Sequence, residues 1–277
     1  MNKDDFFEMA LSDCMSNEEK AVRLLQMLGF FIHSRDGKYY LSDNAFSEDA
    51  VELEKMFNKY SLGKTKRRKP PRVVSHDNQK NYCNHDKSIL DLLFYVSEDS
   101  ICSIIKECFR TDQIGVEASS YEVEWPMFLD GKMPKPVYVA CLEPFIAYYV
   151  KAVSACGVDT CYSCDGNHQN GGKVICKSYY PFNIFHKRIW NDVCVEYNIE
   201  GDIEKGILFD ENSQYDLYYK IYQAAQYLYE HRVCYREMKY EAILNLRKYK
   251  RQMKKEKKKP TKEQYENWFC KEIGLVN

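Results

Sequence analysis

The sequence predicts an α+β fold, with a central mixed α/β domain between a small N-terminal helix-hairpin-helix module and a long C-terminal helical segment. Three observations support this prediction. Helix-like and strand-like patterns alternate in the middle of the chain, an Asp36-Gly37 turn separates two short apolar runs near the start, and residues 214–259 contain neither Gly nor Pro. The predicted divisions are an α+β module at 1–62, a basic Pro-containing linker at 63–85, a central α/β domain at 86–213 and a helical region at 214–277.

Composition excludes several classes of protein. The 277 residues carry 40 Lys and Arg against 41 Asp and Glu, so the chain is neither a globally basic nucleic-acid coat nor an acidic disordered tail. Asp4 and Asp5 stand where an export signal needs cations, and no stretch approaches the roughly 18 uncharged apolar residues of a membrane span. The twelve cysteines lack paired spacing. We therefore expect a cytoplasmic protein with free thiols and no membrane partner.

The N-terminal module shows clear boundary signals. Ser16 and Glu19 form a capping-box pattern, and Gly29 ends the helix that follows. Two short apolar runs then flank the Asp36-Gly37 turn, which is typical of a β-hairpin. A second helix is predicted from about Glu48 to Tyr60. The module is interpreted either as a winged-helix-like binding unit or as a plain α+β accessory domain.

The linker at 63–85 is strongly basic around Pro70 and Pro71. Such a cluster of cations can contact phosphates or an acidic protein surface, or can simply keep a linker solvated. The candidate partner-binding or nucleic-acid-binding residues are Lys66, Arg67, Arg68, Lys69 and Arg72.

The central domain alternates between helical and extended patterns. Ser97 is the predicted cap of one helix, and Pro144 begins another that ends at Gly157. A further helix is predicted between Pro181 and about Tyr197. The predicted strands are 121–125, 137–141, 158–164 and 173–178, the last two flanking a Gly-rich loop.

The C-terminal region keeps helical periodicity over residues 214–259. One continuous helix would span about 70 Å, whereas a break between His231 and Arg236 would give a helical hairpin, and the sequence leaves both open. Residues 247–259 hold nine cations and one acid, Glu256. Thr261 opens a short helix whose aromatic residues either dock onto the core or anchor an interface. The candidate binding residues here are Arg247, Lys248, Lys250, Arg251, Lys254 and Lys255.

One segment has a pattern suited to chemistry. Cys161, Cys164, His168 and Cys176 give the spacing C-x2-C-x3-H-x7-C, which offers the ligand types of a closed structural zinc site. A strand through residues 158–164 argues against this, because positions three apart point to opposite faces. A second interpretation makes Cys164 a nucleophile beside Asp165 and His168. The third is that the thiols are small core residues and the glycines only close a tight loop.

The stretch Gly157-Val158-Asp159-Thr160-Cys161-Tyr162-Ser163-Cys164-Asp165-Gly166 resembles a Gly-Ile/Val-x-Thr-x-x-Ser-Cys-x-Gly motif of uncharacterised phage and mobile-element proteins. The resemblance implies a phage protein in the host cytoplasm and suggests anti-defence activity, a Gabija-type anti-defence protein being one named case.

We therefore expect a non-enzymatic inhibitor that binds a host defence or nucleic-acid-processing complex, and the protein itself could form a homo-oligomer. The alternatives are a nucleic-acid-binding protein that uses the basic segments and a Cys/His enzyme. No cofactor is assigned beyond the zinc hypothesis.

Overall fold

The computed structural model describes residues 7–8, 10–35, 38–41, 47–60, 62, 96–108, 142–158, 160–164, 173–176, 182–199 and 214–275. The helices are α1 (Asn17–Met27), α2 (Ser47–Lys59), α3 (Glu98–Cys108), α4 (Pro144–Ala155), α5 (Phe182–Tyr197), α6 (Gln214–Glu230), α7 (Arg232–Lys255) and α8 (Lys262–Glu272). The strands are β1 (Ile32–Arg35), β2 (Lys38–Leu41), β3 (Thr160–Cys164) and β4 (Lys173–Cys176).

The predicted α+β class with a central mixed α/β domain is wrong, because the described part of the chain is mostly helical. Its strands form two separate antiparallel pairs, β1 with β2 and β3 with β4. The predicted strands at 121–125 and 137–141 lie outside the described residues. The middle of the chain is therefore organised around a helix, and the β3–β4 pair is attached to it rather than forming a layer of its own.

Helix α4 is that central helix. Residues 146–158, which run from the first turn of α4 to just beyond its end, are all buried. Helices α1, α6 and α7 and strand β3 pack around this helix. The spacing of Tyr149, Val150 and Val153 predicts one buried face for this helix, but the side chains of Lys151 and Ser154 are buried as well. A helix that is apolar on nearly every side belongs in the interior of a helical bundle. This explains why the predicted mixed α/β domain, with helices packed over a sheet, does not form.

The N-terminal module and the C-terminal helices share one hydrophobic core. The Phe31 ring stacks on Tyr229 of α6 with ring centroids 4.1 Å apart. Nearby, the Tyr222 hydroxyl donates to Oε1 of Gln26 at 2.8 Å. The Gln26 amide in turn donates to the Ile32 carbonyl at 2.6 Å. Residues distant in sequence are thus held together by both apolar and polar contacts.

Most of the local boundary signals are confirmed. Ser16 and Thr261 both complete capping boxes at the starts of α1 and α8. Strands β1 and β2 pair antiparallel, with Ile32 opposite Leu41, whereas Asp36 and Gly37 between them lie outside the described residues. Gly157 has φ 91° after α4, and the Val158 N–H closes a Schellman motif on the Val153 carbonyl. These signals are reliable because each depends on a few adjacent residues.

The long C-terminal segment is interrupted at a single residue, His231. Backbone hydrogen bonds continue on both sides of it, because the His231 N–H donates to Tyr227 and its carbonyl accepts from Tyr235. Helix α8 docks back onto the fold through Phe269, which is fully buried. Arg188 of α5 fixes the end of α8 by donating to the carbonyls of Ile273 and Gly274 at 3.0 and 2.8 Å.

Candidate functional site: the basic face of the last long helix

The C-terminal half of α7 presents a row of exposed cations. We call the five that lie on its outer side the basic face: Arg247, Lys248, Arg251, Lys254 and Lys255, all of them exposed. At about 100° per residue, these positions cover an arc of about 120° on the helix surface. Every charge in this arc is positive, although the whole protein has a net charge of −1.

The opposite side of the same helix is an apolar seam against α8. Leu246 and Met253 are buried on that side, and Phe269 of α8 is buried as well. Between them, the Tyr249 ring stacks on Trp268 with centroids 5.0 Å apart and planes 3° apart. Because the seam lies directly opposite the basic face, α8 orients the cations away from the protein body.

Lys250 lies at the border between the seam and the basic face. Its Nζ stands 5.2 Å from the centroid of the Tyr265 ring, a cation–π distance. Tyr265 in turn meets Tyr249 edge to face at 5.8 Å. Lys250 is therefore exposed, as the sequence analysis required of a binding residue, but the seam positions its side chain.

Glu256 is held at the end of the helix rather than within the basic face. Its carboxylate forms an ion pair of 2.7 Å with Lys258 and accepts from the Gln252 amide at 2.9 Å. The hydrogen bond from Lys258, followed by that from Gln252, lowers the pKa of Glu256. The one acid of this segment is thus neutralised by a lysine outside the basic face.

Three cations of the basic face are available to an external anion. Among the described residues, the side chains of Arg251, Lys254 and Lys255 take part in no hydrogen bond or ion pair. Lys248 makes only a long contact of 3.4 Å to the Asn245 amide oxygen. Binding a phosphate to these three side chains would not require the rupture of an internal salt bridge, so this part of the basic face is electrostatically prepared for a polyanion.

The remaining candidate binding residues belong to the basic linker at 63–85. Lys66, Arg67, Arg68, Lys69 and Arg72 lie outside the described residues. Their role as binding residues stays a prediction.

The cysteine segment is described in part. Cys161 and Cys164 lie on β3 and Cys176 lies on β4, whereas Asp165 and His168 fall outside the described residues. The register shifts between Thr160 and Tyr162, so Cys161 occupies an irregularity in the β3–β4 ladder beside the Thr160–Cys176 pair. An extended strand separates the Cα atoms of Cys161 and Cys164 by about 10 Å, which disfavours a shared metal ion. The zinc and nucleophile hypotheses both stay predictions.

The described thiols in the core have properties opposite to those of a nucleophile. Burial raises the pKa of Cys156 well above its ordinary value, and its thiol donates to the Leu228 carbonyl at 3.4 Å. Burial also raises the pKa of Cys194 to about 11. Neither group supplies a thiolate at neutral pH. In the described part of the chain, no three His, Cys, Asp or Glu side chains converge as metal ligands.

Two buried lysines were missed by the sequence analysis. Lys239 is fully buried and its amine donates to the Gly157 carbonyl at the end of α4. Lys151 is also buried, with its Nζ 5.9 Å from the centroid of the Phe31 ring. The helical spacing of these two residues did not predict their burial, because lysine side chains ordinarily face the solvent. Lys239 ties α7 to the end of the central helix, on the N-terminal side of the basic face.

Comparison with protein-family models, with curated proteins and with solved structures gives no match to this chain. None of the helices in the described ranges combines the length and the apolar character needed to cross a bilayer.

Proposed function

We propose that this protein is a non-enzymatic binding protein that recognises nucleic acid through the basic face of α7. The observation that carries the proposal is the arc of five exposed cations opposite an apolar seam. Cations arranged on one side of a rigid element can neutralise several phosphates at once and release the counterions that those phosphates had condensed.

The described surface favours a polyanion over an apolar protein partner. High-affinity protein interfaces usually have a core of large buried apolar or aromatic anchors. The large apolar residues exposed in the described ranges are Val51, Val195 and Val233. They belong to α2, α5 and α7 respectively, and all three are small for anchor residues. The basic face instead offers charge without apolar anchors, which suits a phosphate backbone.

The test is the salt dependence of binding, measured by fluorescence anisotropy with labelled DNA and RNA. If all five cations contact phosphates of a duplex, the plot of log K against log salt should have a slope of about −4.5. The triple variant Arg251→Ala, Lys254→Ala and Lys255→Ala should lower this slope in magnitude by about 0.9 for each of its residues that contacts a phosphate, that is by up to about 2.7. These side chains are exposed, so circular dichroism and the melting temperature should remain unchanged.

A matched control removes three positive charges elsewhere. Lys20, Lys55 and Lys59 lie on α1 and α2, and their replacement by Ala changes the net charge by the same amount. The control should retain the parental slope. Absence of nucleic-acid binding at low salt, or equal losses in the two triple variants, would overturn the proposal.

The wider hypothesis, that binding inhibits a host complex, is a separate prediction. It is supported by the phage-type motif around Cys164 and is tested by affinity capture from a host, with the triple variant as comparison. An enzymatic role at Cys164, Asp165 and His168 predicts loss of a measured activity in Cys164→Ser. Light scattering tests the expected homo-oligomer.

A further inference from the structure

We infer that the nucleic acid recognised by the basic face is double-stranded and that α7 enters its major groove. This inference rests on the proposed function and specifies its substrate. It follows from the angular positions of the five cations around the helix axis. The number of cations alone would not distinguish a duplex from a single strand.

The cations form two outer rows and a centre. Arg247 and Lys254 are seven residues apart and fall within about 20° of each other on the helix surface. Lys248 and Lys255 form an equivalent row about 100° away, and Arg251 lies between the two rows. The rows therefore diverge to either side of the helix, with one arginine pointing straight out from it.

This distribution matches the walls and floor of a groove. The major groove of B-form DNA is about 12 Å wide and admits one α-helix between its two phosphate backbones. A helix seated there needs cations on both flanks, one row for each strand, and this is what the two rows provide. A single strand would be followed by one row and would leave the other row without phosphates.

The fold leaves this side of α7 accessible. The apolar seam formed by Leu246 and Met253 lies on the far side of the helix, so α8 stands behind α7 and not beside the basic face. The stacked Tyr249 and Trp268 rings also belong to the seam. Proteins that bind single strands stack bases on aromatic platforms next to their cations, and here the neighbouring rings pack against each other.

Arg251 is placed to contact base edges. At the centre of the inserted face, its guanidinium can donate two hydrogen bonds to O6 and N7 of a guanine in the groove. The outer rows, by contrast, contact phosphates and carry no sequence information. The expected ligand is therefore duplex DNA, with a preference for sites that contain G·C pairs.

The experiment compares fluorescein-labelled 20-bp duplexes of alternating G·C or A·T sequence with oligo-dT and oligo-dA single strands of the same length, each of which is labelled separately because neither pairs with itself. We expect the G·C duplex to bind at least tenfold more tightly than either the single strands or a duplex in which every dG is 7-deaza-dG, which lacks the N7 acceptor. Arg251→Ala should remove the preference for the G·C duplex. Lys254→Ala should weaken binding to both duplexes equally, with a salt slope smaller by about 0.9.

The outcomes separate the two proposals. Equal affinity for single strands and duplexes, or no effect of 7-deaza-dG, would overturn the groove assignment while leaving the proposed function in place. A G·C preference that survives Arg251→Ala would also overturn it. Absence of binding to every probe at low salt would remove both. Lys55→Ala serves as the control, because Lys55 lies on α2 in an ion pair with Glu52.

Discussion

The seam between α7 and α8 makes Phe269 a sensitive test of how the C-terminal helices are held. Phe269 of α8 is fully buried and belongs to the hydrophobic core that also contains Leu246 of α7. Replacing it with Ala removes the transfer free energy of the ring, about 2 kcal/mol. If the side chains around it relax only in part, a cavity of about 80 Å³ adds about 2 kcal/mol more. The expected loss in the free energy of unfolding is therefore about 4 kcal/mol.

The assay is urea unfolding followed by circular dichroism and by tryptophan fluorescence, because Trp268 stands next to the substituted position. With a dependence on urea of about 3 kcal/mol per molar, the midpoint should fall by about 1.3 M. Phe269→Leu conserves most of the volume and should cost less than about 1.5 kcal/mol. Glu263→Ala changes an exposed residue of the same helix and should remain within about 0.5 kcal/mol of the parent.

Two results would refute this reasoning. A loss below about 1 kcal/mol for Phe269→Ala would mean that α8 does not pack as a cooperative part of the fold. A separate, earlier fluorescence transition in the unmodified protein would mean that α8 detaches before the core unfolds. In that case the seam could not hold the basic face in a fixed orientation, and the argument for groove binding would lose its structural basis.

Three further predictions concern titratable groups. Burial lowers the pKa of the His186 imidazole to about 3, whereas the same group in the unfolded chain takes up a proton near pH 6.5. As the pH falls below about 6.5, the free energy of unfolding should therefore decrease by up to about 1.4 kcal/mol per pH unit. Urea unfolding of His186→Phe at pH 7 and pH 5 should show a smaller pH dependence, and an unchanged one would contradict the assignment. The backbone hydrogen bond from Ser16, followed by the side-chain one, lowers the pKa of Glu19 in the folded protein. The Glu19 carboxylate therefore stabilises the fold at pH values above its unfolded pKa, and this contribution is lost as the pH falls through its folded pKa. Melting temperatures of Glu19→Gln should therefore lie below those of the parent at pH 7 and converge with them as the pH falls below the folded pKa of Glu19, whereas a constant difference would argue against the capping box. Finally, Cys102 and Cys234 are exposed and Cys156 is buried, so mass spectrometry of the native protein should find iodoacetamide on the first two before the third, and early labelling of Cys156 would show that the core opens around α4.

Prediction from sequence succeeded where a signal was local. The capping box of Ser16 and the glycine after α4 each involve contacts within about five residues, and both are present. The strands on either side of the predicted Asp36-Gly37 turn also pair as expected. It failed at α4, because an apolar segment of that length fits one layer of a sandwich as well as the centre of a bundle. Which of these forms depends on how many neighbours cover the helix, and those neighbours come from distant parts of the chain.

The basic face shows the same division. Its residues were identified from the sequence as a run of cations, and their helical phase was readable as well. The two buried lysines were not, since only the packing of α7 on α4 makes Lys239 an interior donor to the Gly157 carbonyl. Burying a charged side chain is costly unless a hydrogen-bonding or oppositely charged group lies beside it in the folded protein. The local sequence does not identify that group when it comes from a distant segment.

The amino-acid sequence by itself determined the capped starts of α1 and α8, the glycine stop after α4 and where positive charge accumulates. These properties depend on hydrogen bonds and torsion angles between near neighbours. Tertiary structure alone decided that α4 lies at the centre, that α8 covers one side of α7 and that the cations therefore face outward. Burial is a property of the surroundings of a residue, and the surroundings are assembled from segments up to about two hundred positions apart, as Gln26 and Tyr222 illustrate.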